Sequence, residues 1–157
     1  SEIAQKPQTK GKYILVYMVP KQNSVIQYAL KLKKETGLQV VMLSKNFRPI
    51  SVKHRGDSSP EEFVGWFENA EYVVTNSFHG TAFSFIFGKK TISVAHSTRN
   101  TRIENVLNLT KQLNKQLQPN GNATFSKEVI IDGGEAYKML DDRIISSKNF
   151  LKNSLTI

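Results

Sequence analysis

The chain has 157 residues, with 22 Lys and Arg against 13 Asp and Glu, a formal net charge of +9, three histidines and no cysteine. That length suits a single domain large enough to bury a core without staples. The lack of cysteine excludes disulfides, thiolate metal sites and cysteine nucleophiles, and His54, His79 and His96 show no HxxxH spacing that would suggest zinc.

The chain then alternates between two periodicities. Residues 12–19 (KYILVYMV) form an aromatic and β-branched run stopped by Pro20, the pattern of a buried strand. Residues 22–36 place Val25, Ile26, Ala29 and Leu30 at helical spacing, with Gly37 as a C-terminal stop. Residues 38–43 (LQVVML) return to a strand, which completes a βαβ unit with a parallel, right-handed crossover. Residues 44–59 have no clear period and are expected to form a long surface loop. Ser59, Pro60 and Glu62 then spell a capped helix start, followed by Phe63, Trp66 and Phe67 on one apolar face that belongs in the core.

Residues 71–75 (EYVVT) are a third strand, 78–87 a largely apolar helix ended by Gly88, and 90–94 (KTISV) a fourth strand. A further helix is predicted from near Thr101. Residues 111–128 read as a polar excursion and 129–132 as a short strand or linker. A terminal helix after Gly133 and Gly134 carries a broken apolar stripe of Tyr137, Leu140, Ile144, Ile145, Phe150 and Leu151. The alternation predicts an α/β fold: a three-layer, Rossmann-like domain on a mostly parallel sheet. Residues 1–11 are expected to be a flexible leading segment and 12–157 the domain itself. The initial Ser in place of Met hints at an excised piece of a longer protein or at a cloning remnant.

The most informative stretch is 70–88, AEYVVTNSFHGTAFSFIFG, where a strand runs directly into a helix with Ser77, His79 and Thr81 at the junction. In an open parallel sheet, ligands bind beyond the carboxyl ends of the strands, and the free N–H groups of the following helix attract anions. His79 adds a titratable group beside that helix end. The same residues also have a purely architectural reading, with Ser77 as an N-cap and Gly80 as a packing glycine. Arg99 and Arg102, just past the fourth strand, are placed either to reach the same crevice or to sit solvated at a helix end.

The positive charge calls for an anionic partner, but the basic residues are scattered, with no Arg/Lys block, zinc-finger spacing or RNP-type aromatics. Nucleic acid is therefore not the expected partner; phosphorylated small molecules fit better, and peripheral contact with an anionic membrane surface stays open. No apolar run approaches the roughly 20 residues needed to span a bilayer, and the first twelve residues are polar rather than signal-like. A cytoplasmic location is expected, with work at the inner face of the membrane as one version of it. Walker A, GxGxxG, GxSxG and kinase signatures are all absent.

Taken together, YILVY opening a βαβ unit, SPEEFVGWFENAEYVVTNSFHGTAFSFIFGKKTISV, an R-x-x-R segment leading into VLNL, and a late RIISSKNFL helix resemble the polysaccharide pyruvyl transferases. The resemblance runs over about residues 12–152 and corresponds to the C-terminal half of that family, whose members look like two facing Rossmann-type domains of the GT-B kind. It implies transfer of a pyruvyl group from phosphoenolpyruvate to two hydroxyls of a sugar or polysaccharide precursor, as a cyclic ketal, in exopolysaccharide and cell-envelope biosynthesis. Phosphoenolpyruvate is then a substrate, and neither a cofactor nor a metal is expected. His79 falls on the family's characteristic histidine, which implies donor contact and general-acid work, while Ser77, Phe78, Gly80 and Thr81 would surround the donor. Some members carry Arg where this chain has Ser77, so Arg99 and Arg102 are expected to supply the donor-binding charge, with Arg48 and Arg55 as weaker candidates. Two other readings remain: a nucleotide-sugar-binding half of a GT-B glycosyltransferase, and a non-catalytic module for anionic glycans or a protein partner.

Overall fold

The computed structural model describes residues 2–7, 11–43, 53–54, 58–96, 98, 100–119 and 126–155. Six strands form one sheet: β1 (Tyr13–Tyr17), β2 (Gln39–Leu43), β3 (Lys53–His54), β4 (Tyr72–Thr75), β5 (Lys90–Ser93) and β6 (Ile131–Asp132). Their order is β3-β2-β1-β4-β5-β6; the pairings from β3 through β5 are all parallel and only β6 runs antiparallel. Five helices connect them: α1 (Asn23–Thr36), α2 (Pro60–Asn69), α3 (Phe78–Ile86), α4 (Thr101–Leu109) and α5 (Gly133–Leu155).

Alternation along β1 explains the layers, because successive side chains of a strand face opposite sides. Ile14 and Val16 join Val40, Met42, Val74 and Ile92 beneath Val25, Tyr28, Ala29 and Leu32 of α1. Tyr13 and Leu15 turn the other way, with Val41, Leu43 and Val73, onto Trp66 and Phe67 of α2. The expected three-layer, Rossmann-like domain is thus present. Phe67 is fully buried, and removing a ring so placed costs about 3–5 kcal/mol. The Tyr13 hydroxyl donates to the Trp66 carbonyl at 2.7 Å, satisfying the polar end of a buried ring, and burial pushes this phenol well above the ordinary tyrosine value.

Local grammar was legible where it is local. Ser59 and Glu62 form the reciprocal capping box at the start of α2, with Pro60 in its first turn. Gly37 closes α1 in the left-handed conformation at φ 71°, with its N–H donating to the Lys33 carbonyl. One expectation needs correction. The stretch read as an unpatterned loop contains β3, which extends the sheet beside β2; a strand of two residues has no period to detect. The apolar stripe of α5 is packed only at its beginning, where Ala136 is buried and Tyr137 and Leu140 lie against Phe85, Ile103 and Leu107. Ile145, Phe150 and Leu151 are exposed. In the leading segment, the Gln5 N–H donates to the Glu61 carbonyl of α2 at 3.0 Å.

Candidate functional site

Strand β1 is followed by α1 on one face of the sheet, while β4 is preceded by α2 on the other, so the chain's winding reverses between these two adjacent strands. At such a switch point, connections leave in opposite directions and a crevice opens beyond the carboxyl ends. The row Leu43, Tyr17, Thr75 and Ser93 marks that end of the sheet. Beyond it lies a cleft of about 300 Å³, lined by Tyr17, Val19 and Pro20 after β1, Asn76 to His79 after β4, His96 after β5, and Arg102 and Ile103 of α4.

Asn76 holds the floor of this cleft together. It is 2% exposed. Its Oδ1 accepts from the Val19 N–H at 3.0 Å, and its Nδ2 donates to the Pro20 carbonyl and to Gln22 Oε1, both at 3.1 Å. Gln22 Nε2 in turn donates to the Ala95 carbonyl at 3.0 Å. One buried amide thus ties the loops after β1 and β4 together, and its Gln22 partner extends the tie to β5. Each bond also satisfies a polar group that would otherwise be costly to bury.

The junction into α3 is built by close packing. Thr75 Oγ1 accepts from the Ser77 N–H at 3.0 Å, and a Cβ at Gly80 would run into that same threonine side chain. Only glycine lets the first turn of α3 settle so closely on the end of β4. Thr81 is wholly buried, and its hydroxyl donates back to the Ser77 carbonyl. Ser77 occupies the N-cap position, but its side chain makes no capping bond, so the first-turn N–H groups of α3 receive none from it.

Each predicted residue can now be placed. His79 is exposed on the first turn of α3, with its ring centroid 5.8 Å from that of Phe78. Arg102 comes from α4 and lays its guanidinium over the Phe78 ring, 5.5 Å from the centroid. His79, Phe78, Ser77 and Arg102 therefore converge on one cleft. Gly80 and Thr81 stand behind it, shaping the helix start rather than lining the opening. Arg48, Arg55 and Arg99 lie outside the described residues.

Three polar lining residues were not singled out as site residues from sequence: Tyr17, Asn76 and His96. Tyr17 packs edge-on to Phe63 and Phe67 at 5.2 and 5.8 Å, and burial raises its phenol above the ordinary value, so it presents a neutral hydroxyl. The position of Asn76, immediately after the β4 run and before Ser77, was the one signal that pointed to it. Among the described residues no carboxylate lines the cleft, which holds instead one guanidinium, two imidazoles and a helix N-terminus. That combination suits an anion. Among the described residues, no group of three or more His, Asp or Glu is arranged to hold a metal ion, and no helix is long and apolar enough to cross a membrane.

Comparison with known families decides the wider affiliation. A family model described as polysaccharide pyruvyl transferase matches residues 2–98, more than half of the chain. The chain belongs to the polysaccharide pyruvyl transferase family. For this pyruvyl transferase family domain, the matched span includes β1 through β5 and His79, and ends before Arg102.

Comparison with curated proteins returned no match. Among solved structures, the domain is similar to a glycotransferase of kitacinnamycin, at 11% identity and a TM-score of 0.49, covering 88% of this chain and 36% of that one. It is similar to the spinosyn forosaminyltransferase SpnP, at 14% identity and a TM-score of 0.47, covering 90% of this chain and 38% of that one. It is also similar to the glycosyltransferase SnogD from Streptomyces nogalater, at 9% identity and a TM-score of 0.49, covering 85% of this chain and 38% of that one. The chain thus spans little more than a third of the length of these structures.

Proposed function

We propose that this chain is the donor-binding domain of a polysaccharide pyruvyl transferase and that its cleft takes phosphoenolpyruvate. The observation that carries the reading is that His79 and Arg102 both contact one ring, Phe78, at the start of α3, where the Ser77 side chain makes no capping bond. Phosphoenolpyruvate brings a carboxylate and a phosphate, and a cleft that among the described residues has no carboxylate but has a guanidinium and a helix N-terminus complements both.

The chemistry assigns roles to these groups. A proton delivered to the methylene carbon of the enol turns it into a methyl group and leaves the adjacent carbon electron-poor. A sugar hydroxyl attacks that carbon and loses its proton, forming the first C–O bond. A second hydroxyl then forms the second C–O bond as the bond to phosphate breaks, giving the cyclic ketal and inorganic phosphate. His79 is the residue suited to carry the first proton, because imidazole exchanges protons near neutral pH. Arg102 holds an anionic end of the donor throughout. A second domain is required to bring the acceptor hydroxyls to the donor, since the gain from orientation exists only when both reactants are held. A cytoplasmic site of action beside the inner face of the membrane goes with this reading, and the net charge of +9 is its support.

The test is calorimetric titration of the chain with phosphoenolpyruvate, in parallel with UDP- and GDP-sugars, for wild type and His79→Ala. Phosphoenolpyruvate binding that weakens in the variant is expected. Selective binding of a nucleotide sugar would transfer the domain to the glycosyltransferase class, although among the described residues no acidic side chain lines the cleft to grip a ribose. Binding of none of them would leave a non-catalytic module.

A further inference from the structure

The far end of α5 carries a surface that the cleft does not use. Every side chain from Ile145 to Leu155 is exposed, about 16 Å of helix at 1.5 Å per residue. Large apolar groups are among them: Ile145 is 50% exposed, Phe150 70%, Leu151 57% and Leu155 79%. Gathered on three turns, they make a patch rather than scattered single residues. At about 100° per residue, Ile144, Leu151 and Leu155 fall within about 40° of arc and continue the face on which Ala136 and Leu140 pack against α3 and α4. Lys148 flanks that stripe on one side and Arg143 on the other, while Asn149 and Asn153 make the back of the helix. The charge here has one sign: from Arg143 to Leu155 there are three cations and no acid, whereas the earlier turns carry Glu135, Asp141 and Asp142.

We propose that the last three turns of α5 dock on an anionic bilayer surface, with the apolar side chains entering the headgroup boundary and Arg143 and Lys148 meeting lipid phosphates. Charge complementarity selects this occupant. A second copy packed on the same stripe would set cation against cation with no acid to offset them. A bilayer rich in anionic headgroups answers every charge of the segment. The long stems of Arg143 and Lys148 can lie along the apolar stripe while their charged ends stay among the headgroups. An apolar face flanked by cations and backed by neutral polar groups is the form of a helix that lies at such an interface. The inference gives a physical element to the membrane-side location proposed above and does not depend on what the cleft binds.

The test is co-sedimentation of the chain with vesicles of phosphatidylcholine alone and of an equimolar mixture of phosphatidylcholine and phosphatidylglycerol. Binding to the mixed vesicles at least about tenfold tighter than to phosphatidylcholine is expected. Phe150→Ser with Leu151→Ser should weaken it at least about tenfold, since both side chains lose their burial in the bilayer. Arg143→Gln with Lys148→Gln should remove most of the preference for the anionic vesicles. The same loss of charge elsewhere, in Lys6→Gln with Lys34→Gln, should leave that preference nearly intact; an equal loss there assigns binding to the net charge alone and overturns the inference. All six side chains are exposed, so the variants should keep the fold. Absence of binding to either vesicle overturns the inference too. So does a chain that dimerises in light scattering and turns monomeric in Phe150→Ser with Leu151→Ser, which gives the face to a second copy. Phosphoenolpyruvate affinity should be the same in every variant. A chain that ignores vesicles but binds phosphoenolpyruvate therefore keeps the donor reading, and one that does the reverse keeps this inference without it.

Discussion

The two ends of this sheet both carry an opening, and they differ in a way that volume does not predict. At the amino end lies a cavity of about 760 Å³ bordered by Glu35, Tyr72, Lys90, Lys127 and Asp132. At the carboxyl end the cleft is smaller, about 300 Å³. The larger cavity is bordered by groups of both signs, and its Lys90 is already committed. Glu71 bridges Lys12 at 3.0 Å and Lys90 at 3.1 Å, so these charges answer one another rather than a ligand. The smaller cleft is lined, among the described residues, by no acid to cancel its cationic groups, and a buried amide fixes its floor. The proposed function is therefore assigned to the switch point of the winding, where loops diverge and a helix begins, and not to the larger hole.

That contrast breaks most sharply at His79. Replacing it with alanine in the complete two-domain enzyme is expected to lower turnover by at least about 100-fold, the lower range for general acid–base catalysis. The melting temperature should stay within about 2 °C of wild type, since an exposed helix-surface residue contributes little to the core. Wild-type turnover would remove His79 from the mechanism.

Asn76→Ala tests the floor of the cleft. It removes three hydrogen bonds from a buried position and leaves the Val19 N–H without the acceptor it has here, so urea denaturation should show a loss of about 2–3 kcal/mol. Donor affinity should fall with it. A variant as stable as wild type would show that the loops after β1 and β4 hold their places without the amide.

Arg102→Ala is expected to weaken phosphoenolpyruvate binding about tenfold, with stability nearly unchanged because the side chain is exposed. An equal loss in Arg102→Lys would show that stacking on Phe78 and the planar fork matter more than the charge.

At the opposite end, Glu71→Gln should leave donor binding untouched and cost no more than about 1 kcal/mol, as exposed ion pairs do. Hydrogen bonds from Lys12 and Lys90 hold the Glu71 carboxyl below the ordinary value of 4.5. Its contribution is therefore present above that value and is lost as the pH falls through the lowered folded pKa. The stability difference between wild type and variant should accordingly close in acid; a difference that persists there would assign the effect to packing.

How much of this was legible beforehand depended on the distance over which each feature is written. The capping box of Ser59 and Glu62 spans three residues and was read directly, as was the Gly37 stop of α1. The strand-to-helix junction at 70–88 advertised the site because its Ser, His and Gly sit within a few positions. Its inner division was not visible: Gly80 and Thr81 face the core while His79 faces the opening, a matter of which side of α3 meets Thr75. Asn76 stayed hidden for a different reason. Its partners Val19, Pro20 and Gln22 are 54 to 57 positions away, and no local pattern links them.

By itself, then, the sequence determined the alternation of strands and helices, the apolar faces that make the layers, and the family to which the chain belongs. These follow from side-chain periodicity and short motifs, which act over a turn or a strand. Only the tertiary structure decided that β1, β4 and β5 lie side by side, and thereby that Asn76, His79, His96 and Arg102 share one cleft. Strand order is fixed by burying both faces of the sheet at once, and that condition is satisfied only by the whole chain.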